Sequence, residues 1–459
     1  MITSETKVGD DYGSRLADAA VKVSKYRWRI VALLFFATTI NYIDRNVLSF
    51  TMLDDGFRRS MLGLDGTGPL DEGQIKTFKT MMGQVDAAFK IAYALGFVLV
   101  GWMIDKIGTK KGFSISIIVW SLAGILNGFV TNVKGLFATR FMLGIGEAGN
   151  FPSAVKSVAE WFPKKERAFA TGVFNAGANI GIILTALCVP LITINYGWRA
   201  AFIITGLLGV ILLFFWWTTY NRPEEHPKVS EGELAYIRSG QDDVDTTRKI
   251  TWARLLPYRQ TWAFALAKFL TDGVWWFYLT WLPDFFNSNA AFETRLDLKS
   301  VGIPFLVIYL VSDGGSIFYG WLSSRFIKNG WSVNAARKVT MLICAATVIP
   351  IFFAAQTSSI VIAIILVSIA TAAHQGFSAN LFTLTSDMFP KQAVGSVVGI
   401  GGMMGAIGGA LIAYNAGSVI ANVGYLPLFI YAGTAYLLAV LIIHLLAPRL
   451  QQVQFKEVD

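Results

Sequence analysis

Ionisable side chains occur inside long apolar stretches of this sequence. They are Asp44, Arg45, Asp86, Lys90, Arg140, Glu147, Lys268, Asp272 and Asp313. A charged group at the centre of a lipid bilayer costs about 2.5–3.5 kcal/mol on insertion scales, so it usually faces a cavity or a partner. A carboxylate beside a base stays ionised, whereas one left in apolar surroundings can take a proton. Acids and bases buried together therefore predict a site that binds an anion and protons.

Four of these groups fall at related depths in two apolar segments. Asp44 lies 16 residues after Trp28, or about 24 Å along a helix that rises ~1.5 Å per residue. Arg140 comes early in a segment that runs in the opposite direction, and Glu147 follows two helical turns later on the same face. We expect Asp44, Arg45, Arg140 and Glu147 to line one strip that holds an organic anion and protons. The alternative is a pair of internal salt bridges that joins the two helices.

A second base lies near a tyrosine. Lys90 and Tyr93 are about one helical turn apart, so they share a face of their helix. Two simpler interpretations stay open, since Lys90 could extend toward the membrane surface or be neutralised by Asp86, one turn before it.

A third base precedes a dense aromatic cluster. Lys268 and Asp272 have the spacing of an ion pair within a helix. Trp275, Trp276 and Tyr278 follow, and aromatic faces of this kind stack on sugars. Trp276 is therefore a candidate for substrate contact.

Neutral polar residues complete the candidate set. Asn175 and Asn179 are one turn apart on one face, and His374, Gln375 and Asn380 lie in another apolar segment. Such groups suit the recognition of hydroxyls. For His374, a hydrogen-bonded place in the core is as good an interpretation as a proton carrier.

The composition indicates the elements that must position these residues. The chain has 459 residues, of which 54% are apolar and 15% charged, whereas soluble domains carry about 25% charged residues. This excludes a soluble globular enzyme, a disordered chain and a nucleic-acid binder. The two cysteines and three histidines show no ligand spacing, so no metal site and no cofactor are predicted.

Twelve apolar segments are each long enough to cross a bilayer, which needs about 20 residues. They are residues 27–50, 82–104, 113–132, 135–158, 168–192, 199–220, 260–283, 301–323, 338–356, 359–386, 393–419 and 424–447. This predicts an all-α membrane protein with two bundles of six transmembrane helices. The predicted parts are an N-terminal tail (1–26), an N-terminal bundle (27–220), a solvated linker with room for one short helix (221–258), a C-terminal bundle (259–447) and a C-terminal tail (448–459).

The basic residues predict the orientation in the membrane. Of the 39 Lys and Arg residues, 26 fall in the tails, the linker and the loops on their side, and eight fall on the opposite side. Because cytoplasmic segments are enriched in Lys and Arg, both termini are expected in the cytoplasm. The net charge of +9 then reflects topology.

The two halves repeat each other. The Gly-Trp pair at Gly101 recurs at Gly320, 219 residues later, and the Trp-Phe-Pro end of one segment at Pro163 recurs as Met-Phe-Pro at Pro390, 227 residues later. Such duplications are typical of secondary transporters, whose site lies between the repeats near the middle of the membrane.

The first of these repeats resembles the signature loop of the major facilitator superfamily. The loop runs Gly-Trp-Met-Ile-Asp-Lys-Ile-Gly-Thr-Lys-Lys, and its matching residues are Gly101, Asp105, Lys106, Gly108 and Lys110. The resemblance implies an inner gate that latches one bundle against the other. The second copy has Ser324 in place of the acid. A plain basic loop is the alternative.

Longer stretches resemble the anion:cation symporters of that superfamily, most of all its hexuronate transporters. The stretches are Asn41–Arg45, Arg140–Pro152, Lys268–Pro283 and His374–Asp387. The resemblance implies that Asp44 and Glu147 couple protons and that Arg45 and Arg140 hold the substrate carboxylate or its partner acids.

Other positions refine this resemblance. Tyr93 matches the family's substrate tyrosine, and Lys268 replaces an arginine found in some hexuronate relatives. Ala178 and Gly402 stand where galactonate carriers have glutamine and asparagine, which argues against galactonate.

We therefore predict a proton-coupled symporter of a hexuronate such as glucuronate or galacturonate, a monomer in the bacterial inner membrane. The expected substrate-binding residues are Arg45, Lys90, Tyr93, Arg140, Asn175, Asn179, Lys268, Trp276, Gln375 and Asn380. The alternatives are coupling to sodium, another organic anion such as a hexonate, and exchange of organophosphate for phosphate. A membrane-embedded enzyme or sensor is a more remote alternative.

Overall fold

The computed structural model describes residues 25–66, 68–239 and 252–454, and these contain no β-strand. Most of the N-terminal tail, the middle of the linker and residues 455–459 lie outside these ranges. So do the side chains of residues 105, 164, 165, 168, 391 and 392.

Helices make up the N-terminal half. They are α1 (Arg27–Thr51), α2 (Asp55–Leu62), α3 (Glu72–Ile107), α4 (Thr109–Asn127), α5 (Val133–Glu147), α6 (Asn150–Trp161) and α7 (Lys164–Thr219). The linker holds a 3-10 turn (Pro223–Glu225), α8 (Glu231–Arg238) and α9 (Trp252–Leu255).

The C-terminal half is also helical. It contains α10 (Arg259–Ser288), α11 (Gly302–Lys328), α12 (Val333–Val348), α13 (Ile360–Met388), α14 (Lys391–Asn422) and α15 (Leu426–Leu446), with a 3-10 segment (Ile349–Ala355) after α12.

The fourth apolar segment is broken where the sequence predicts one helix. It forms α5 and α6, separated by a turn at Ala148 and Gly149. Pro152 explains the break, because a proline has no N–H to donate and its ring clashes with the carbonyl four residues earlier, here that of Ala148. The break leaves Glu147 as the last residue of α5.

Two apolar segments merge in α7. At Gly197 the backbone leaves the helical region (φ 82°, ψ 160°), a left-handed conformation that only glycine adopts without strain. The chain therefore turns there, and the two arms of α7 correspond to two predicted crossings.

Eight of the described helices combine the length and apolar character needed to cross a membrane, and one of them, Phe169–Thr219, includes the bend at Gly197. Among those that fall short are α1, α5 and α10, which carry Arg45, Glu147 and Lys268. Helix α5 has only 15 residues and is too short for this criterion.

The helices pack into two halves that share an interface. In the N-terminal half α1 packs on α7, α3 on α5, and α4 on α5 and α7. In the C-terminal half α10 packs on α14 and α15, and α13 on α11 and α12. The halves meet where α3 contacts α14, α7 contacts α11 and α1 contacts α10.

The interface is tightly closed at one end, which we call the loop end because α1 ends and α3 begins there. A β-carbon at Gly83 would lie 2.7 Å from the carbonyl oxygen of Ala413, so α3 and α14 touch through their backbones. Lys79 pairs with Asp284 across the halves (Nζ to Oδ2 2.8 Å), and both side chains are buried.

The long first loop contributes to this closure. Helix α2 places Arg58 over the C-terminal half, where its guanidinium donates to Asn287 Oδ1 (3.3 Å) and lies 3.9 Å from Asp284. The Tyr425 hydroxyl also donates to Asp284. The length of this loop has no evident reason in the sequence, and in the structure the loop makes these contacts with the C-terminal half.

The opposite end, which we call the linker end because α1 and α10 begin there, is less tightly joined. Near it, Gly101, Gly172, Gly320 and Gly395 lie on the four helices that also form the close contacts at the loop end. A β-carbon at any of them would meet no heavy atom within 4 Å. The halves are therefore in close backbone contact at the loop end, whereas these four glycines near the linker end have open space beside them.

Part of the linker is packed, where the sequence predicts a solvated segment. Glu233 of α8 is fully buried and accepts hydrogen bonds from the backbone N–H groups of Tyr26 and Arg27, each at 3.1 Å. A carboxylate at a helix N-terminus satisfies free N–H groups and interacts favourably with the helix dipole. The short helix agrees with the predicted linker, but composition alone does not reveal such a docking contact.

The ion pair at the loop end generates a testable prediction. In a variant whose native Cys188 and Cys344 are replaced by serine and whose buried Ser49 is replaced by cysteine, Asp284→Asn should open the loop end. Loss of one partner of a buried ion pair costs about 3–5 kcal/mol, so we expect Cys labelling by a membrane-impermeant maleimide from that side to become at least about tenfold faster.

The matched control is Lys76→Ala, since Lys76 pairs with the exposed Glu72 on the surface and should leave the rate unchanged. Equal labelling rates for Asp284→Asn, Lys79→Ala and the parent would show that these contacts do not hold the end closed.

Candidate functional site

A buried ion pair lies at the centre of the N-terminal half. Arg45 of α1 donates from Nε to Glu147 Oε2 at 2.8 Å, and a second nitrogen donates to Asn41 Oδ1 at 3.2 Å. Arg45 is 6% exposed and Glu147 is completely buried. The other oxygen of Glu147 has no hydrogen-bond partner, so this carboxylate has one charged donor and spare capacity.

Aromatic rings surround the guanidinium of Arg45. Its central carbon lies 4.5 Å from the ring centre of Tyr42, 4.8 Å from Tyr93, 5.1 Å from Trp276 and 5.7 Å from Phe89. Cation–π contacts of this kind strengthen when they are shielded from water. These four rings form an aromatic box around Arg45. Trp276 comes from the C-terminal half, so the aromatic box spans the interface between the halves.

Arg140 of α5 sits beside this group without an acid of its own. Its nitrogens donate to the carbonyl oxygens of Arg45 (3.0 Å) and Asp44 (3.4 Å), and its guanidinium lies over the Phe89 ring. In the described part of the chain no carboxylate lies within ion-pair distance of it. Arg140 is thus a buried base that still lacks an anion.

The structure separates Asp44 from the strip that the sequence predicts. Its side chain is buried against α4, where Oδ1 lies 3.7 Å from the position of a β-carbon at Gly124, and beside Thr205 of α7. Neither carboxylate oxygen has a hydrogen-bond partner. Neighbouring residues in a helix point about 100° apart, so Asp44 and Arg45 cannot both face the same groove.

The two lysines are each neutralised within their own helix. Lys90 pairs with Asp86 in α3, and Lys268 pairs with Asp272 in α10 at 2.7 Å. The Lys90 ammonium also lies 5.2 Å from the centre of the Trp276 ring. Lys90 is buried, and its pair with Asp86 corresponds to the second of the two simpler interpretations.

Small residues of α14 make room for the side chains of α10. A β-carbon at Gly405 would lie 2.2 Å from Asp272 Oδ2, and one at Gly409 would lie 2.4 Å from the Trp276 ring. The spacing of four residues puts both glycines on one face. Any larger residue there would push Asp272 or Trp276 out of place.

The predicted polar residues of α7 and α13 have different surroundings. Asn179 donates to Asp313 of α11 across the interface, while Asn175 is exposed and Gln375 is partly buried. Asn380 donates to the carbonyl oxygens of Gly376 (2.9 Å) and, more weakly, Tyr319 (3.4 Å). The amide of Asn380 thus joins α13 to α11.

His374 is a satisfied core residue. Its Nδ1 lies 2.6 Å from the Tyr436 hydroxyl, and its ring stacks on Trp275 with centres 4.6 Å apart. Trp275 therefore packs inside the C-terminal half, while its neighbour Trp276 faces Arg45.

The inner-gate residues contact their own half. Lys110 donates to Asn221 at the start of the linker (2.8 Å), and Lys106 lies over the Trp102 ring. Gly108 has a left-handed backbone (φ 85°) that ends α3. The implied latch between bundles is absent from these described side chains, and the side chain of Asp105 lies outside the description.

Sequence reasoning missed two residues of the site. Tyr42 and Phe89 were not selected, although Tyr42 lies three residues before Arg45 and Phe89 four before Tyr93, both on the same helix face.

A small cavity is lined by Arg45, Asn46, Leu48, Ser49, Asp86, Phe89, Arg140, Trp276, Leu279 and Thr280. Among the described residues no group of His, Cys, Asp and Glu could hold a metal ion.

Known transporters are similar in sequence to this chain. The chain is 28% identical over 426 residues to the hexuronate transporter of Escherichia coli strain K12, which covers 92% of this chain and 94% of that one. It is 29% identical over 455 residues to the probable galactarate/D-glucarate transporter GudP of Bacillus subtilis strain 168, which covers 95% of each chain.

A solved structure shares the fold. The crystal structure of a bacterial homologue of the human lysosomal transporter Spinster, inward-facing and occupied, matches with a TM-score of 0.68 at 18% identity, over 93% of this chain and 97% of that one. The predicted all-α membrane fold is thereby confirmed. The model of the Major Facilitator Superfamily matches residues 34–413, and the protein therefore belongs to this superfamily of membrane transporters, which are not enzymes.

Proposed function

We propose that the protein is a proton-coupled symporter of a hexuronate that works by alternating access in the bacterial inner membrane, with both termini in the cytoplasm. The observation that carries the proposal is the buried pair of Arg45 and Glu147 at 2.8 Å inside an aromatic box. The named functions of the two relatives support a sugar acid as substrate.

The pair supplies a coupling mechanism. Arg45 can form an ion pair with either Glu147 or a substrate carboxylate. When both carboxylates are ionised, they compete for its guanidinium. When Glu147 takes a proton it no longer needs the guanidinium, and Arg45 becomes available to the anion. A buried base prefers an exchange of partners to a loss of its partner, which costs about 3–5 kcal/mol. Proton and anion therefore bind together.

Asp44 is the second proton site of this proposal. It is buried, and neither of its oxygens has a hydrogen-bond partner. An isolated buried carboxylate is stabilised by neutralisation. Its backbone carbonyl accepts a hydrogen bond from Arg140. Protonation of Asp44 therefore changes the surroundings of Arg140, the base that lacks an acid.

The arrangement of charges favours a single carboxylate. Lys90 and Lys268 have acids on their own helices, and Arg45 has Glu147. Arg140 is the base that has only carbonyl partners. One carboxylate neutralises Arg140. A phosphate dianion or a dicarboxylate carries a second negative charge, and a second base would have to leave its own acid to neutralise it. Trp276 and Tyr93 supply faces on which a sugar ring can stack.

The transport cycle follows from the closed and open ends. With the loop end outside, the present conformation is open toward the cytoplasm. In the outward-open conformation, protonation of Glu147 and Asp44 allows the anion to bind at Arg45 and Arg140. The halves then rock, the linker end opens, and anion and protons leave into the cytoplasm.

Proton uptake driven by substrate tests the proposal directly. Liposomes that contain the purified protein and an internal pH dye should acidify when glucuronate or galacturonate is added outside. Galactonate, galactarate and glucose 6-phosphate should give little signal, and empty liposomes serve as the control. No response to any of the five, with or without a sodium gradient, would reject a hexuronate carrier; a response that needs sodium would reject proton coupling.

The variant Glu147→Gln separates coupling from binding. Glutamine cannot release a proton, so accumulation against a gradient should fall at least about 100-fold toward background, while exchange of labelled for unlabelled hexuronate continues. Glu293→Gln, at an exposed loop position, should keep both activities. Loss of exchange together with accumulation would contradict a coupling role for Glu147.

A further inference from the structure

The small cavity beside Arg45 is lined by polar groups that the mechanism above does not use. Ser49 of α1 and Thr280 of α10 belong to opposite halves, and both line the cavity. Each follows Arg45 or Trp276 by one helical turn, in helices that run toward the loop end. The cavity therefore lies on the loop-end side of Arg45. Ser49 and Thr280 are buried, with exposures of 3% and 7%.

The hydroxyls of these two residues form no hydrogen bond with the rest of the described chain. A serine or threonine in a helix can donate to a carbonyl oxygen of the preceding turn. Thr51 of α1 does so at 3.1 Å, and Thr271 of α10 does so at 2.9 Å. Because buried polar groups are normally hydrogen-bonded, two unpartnered hydroxyls at one cavity point to a ligand as their partner.

Arg140 lines the same cavity and has a third unpartnered donor. Its Nε–H is buried and makes no hydrogen bond, although its other nitrogens donate to carbonyl oxygens of α1. The carboxylate of Asp86 also faces the cavity, but Lys90, one helical turn away, balances its charge. The cavity therefore offers its occupant mainly hydrogen-bond donors and a positive charge.

The cavity is matched in size to a single oxygen atom. Its volume is about 10 Å³, close to the space that one water molecule needs. A sugar acid as a whole does not fit, but one oxygen of its carboxylate does, with the remainder of the molecule beside Arg45 and the aromatic box. A carboxylate oxygen only accepts hydrogen bonds, whereas a hydroxyl must also donate its own hydrogen. The excess of donors therefore favours a carboxylate oxygen.

We propose that Ser49 and Thr280 are carboxylate-binding residues, which donate to one oxygen of the substrate carboxylate beside Arg140. The inference rests on the proposed sugar-acid transport and adds a residue from each half to its anion site. Ser49 and Arg140 move with the N-terminal half, and Thr280 moves with the C-terminal half. Thr280 therefore reaches the carboxylate only when the loop end is closed. Binding of the anion thus favours closure of that end, as import requires.

Binding to the purified protein in detergent, without a membrane gradient, tests this assignment. Calorimetry compares the wild type with Thr280→Val and Ser49→Ala. The ligands are glucuronate and a set of glucuronate analogues that each lack one hydroxyl. Each variant should bind glucuronate about 10- to 100-fold more weakly, as for a lost hydrogen bond to a charged group. Every analogue should lose affinity by the same factor, because all of them keep the carboxylate.

Two matched variants separate recognition from folding. Thr280→Ser keeps the hydroxyl, and Thr271→Val removes a hydroxyl that is satisfied within α10. Both should bind glucuronate within about threefold of the wild type.

The possible outcomes are distinct. An analogue whose affinity does not change in Thr280→Val would show that Thr280 binds a hydroxyl and would overturn the carboxylate assignment. Unchanged glucuronate affinity in both Thr280→Val and Ser49→Ala would overturn the subsite alone. Absence of hexuronate binding by the wild type would overturn the proposed function and the subsite with it.

Discussion

The buried pair of Arg45 and Glu147 is the interaction on which the rest of the site depends. A guanidinium away from water needs a carboxylate, carbonyl oxygens or aromatic faces around it, and Arg45 has Glu147, Asn41 and four rings. Breaking a buried pair is far more costly than exchanging a partner, so in the proposed mechanism Glu147 and another anion compete for Arg45, and a proton decides between them.

Local features of the sequence place that pair. Pro152 interrupts the fourth segment, so α5 ends at Glu147, and Gly181 brings α7 against α1. Gly409 admits Trp276, which closes the box from the other half. Proline and glycine weaken helices, and here their positions coincide with the contacts that the site requires.

Much of the fold could be predicted, because a bilayer demands long apolar helices and a long apolar segment is visible in the sequence. The position of a residue along its helix also follows from the sequence, since the rise per residue is constant. The side of the helix on which each residue lies was not predicted correctly. Asp44 is rotated by about 100° from Arg45 around α1 and faces α4. Contacts made by distant segments, such as Glu233 with the start of α1, leave no local pattern in the sequence.

The ion pairs fall into classes according to whether both partners lie in one helix, in one half or in different halves. These classes separate the pair that closes the loop end from the pair proposed to couple transport. Lys90 with Asp86 and Lys268 with Asp272 lie within single helices. Rocking of the halves leaves these ion pairs intact, so their charges are balanced in every conformation. Lys79 with Asp284 joins the two halves and must break whenever the loop end opens.

Arg45 and Glu147 belong to a third class, because both lie in the N-terminal half. Rigid-body rocking does not strain their contact, and only a proton or an anion can change it. The conformation therefore does not itself dictate the state of the pair, and each state of the pair can occur with either end open. In the proposed transport cycle, coupling therefore depends on which loaded states allow the halves to move, and the contacts across the interface at Trp276 and Lys79 are the ones through which loading affects that movement.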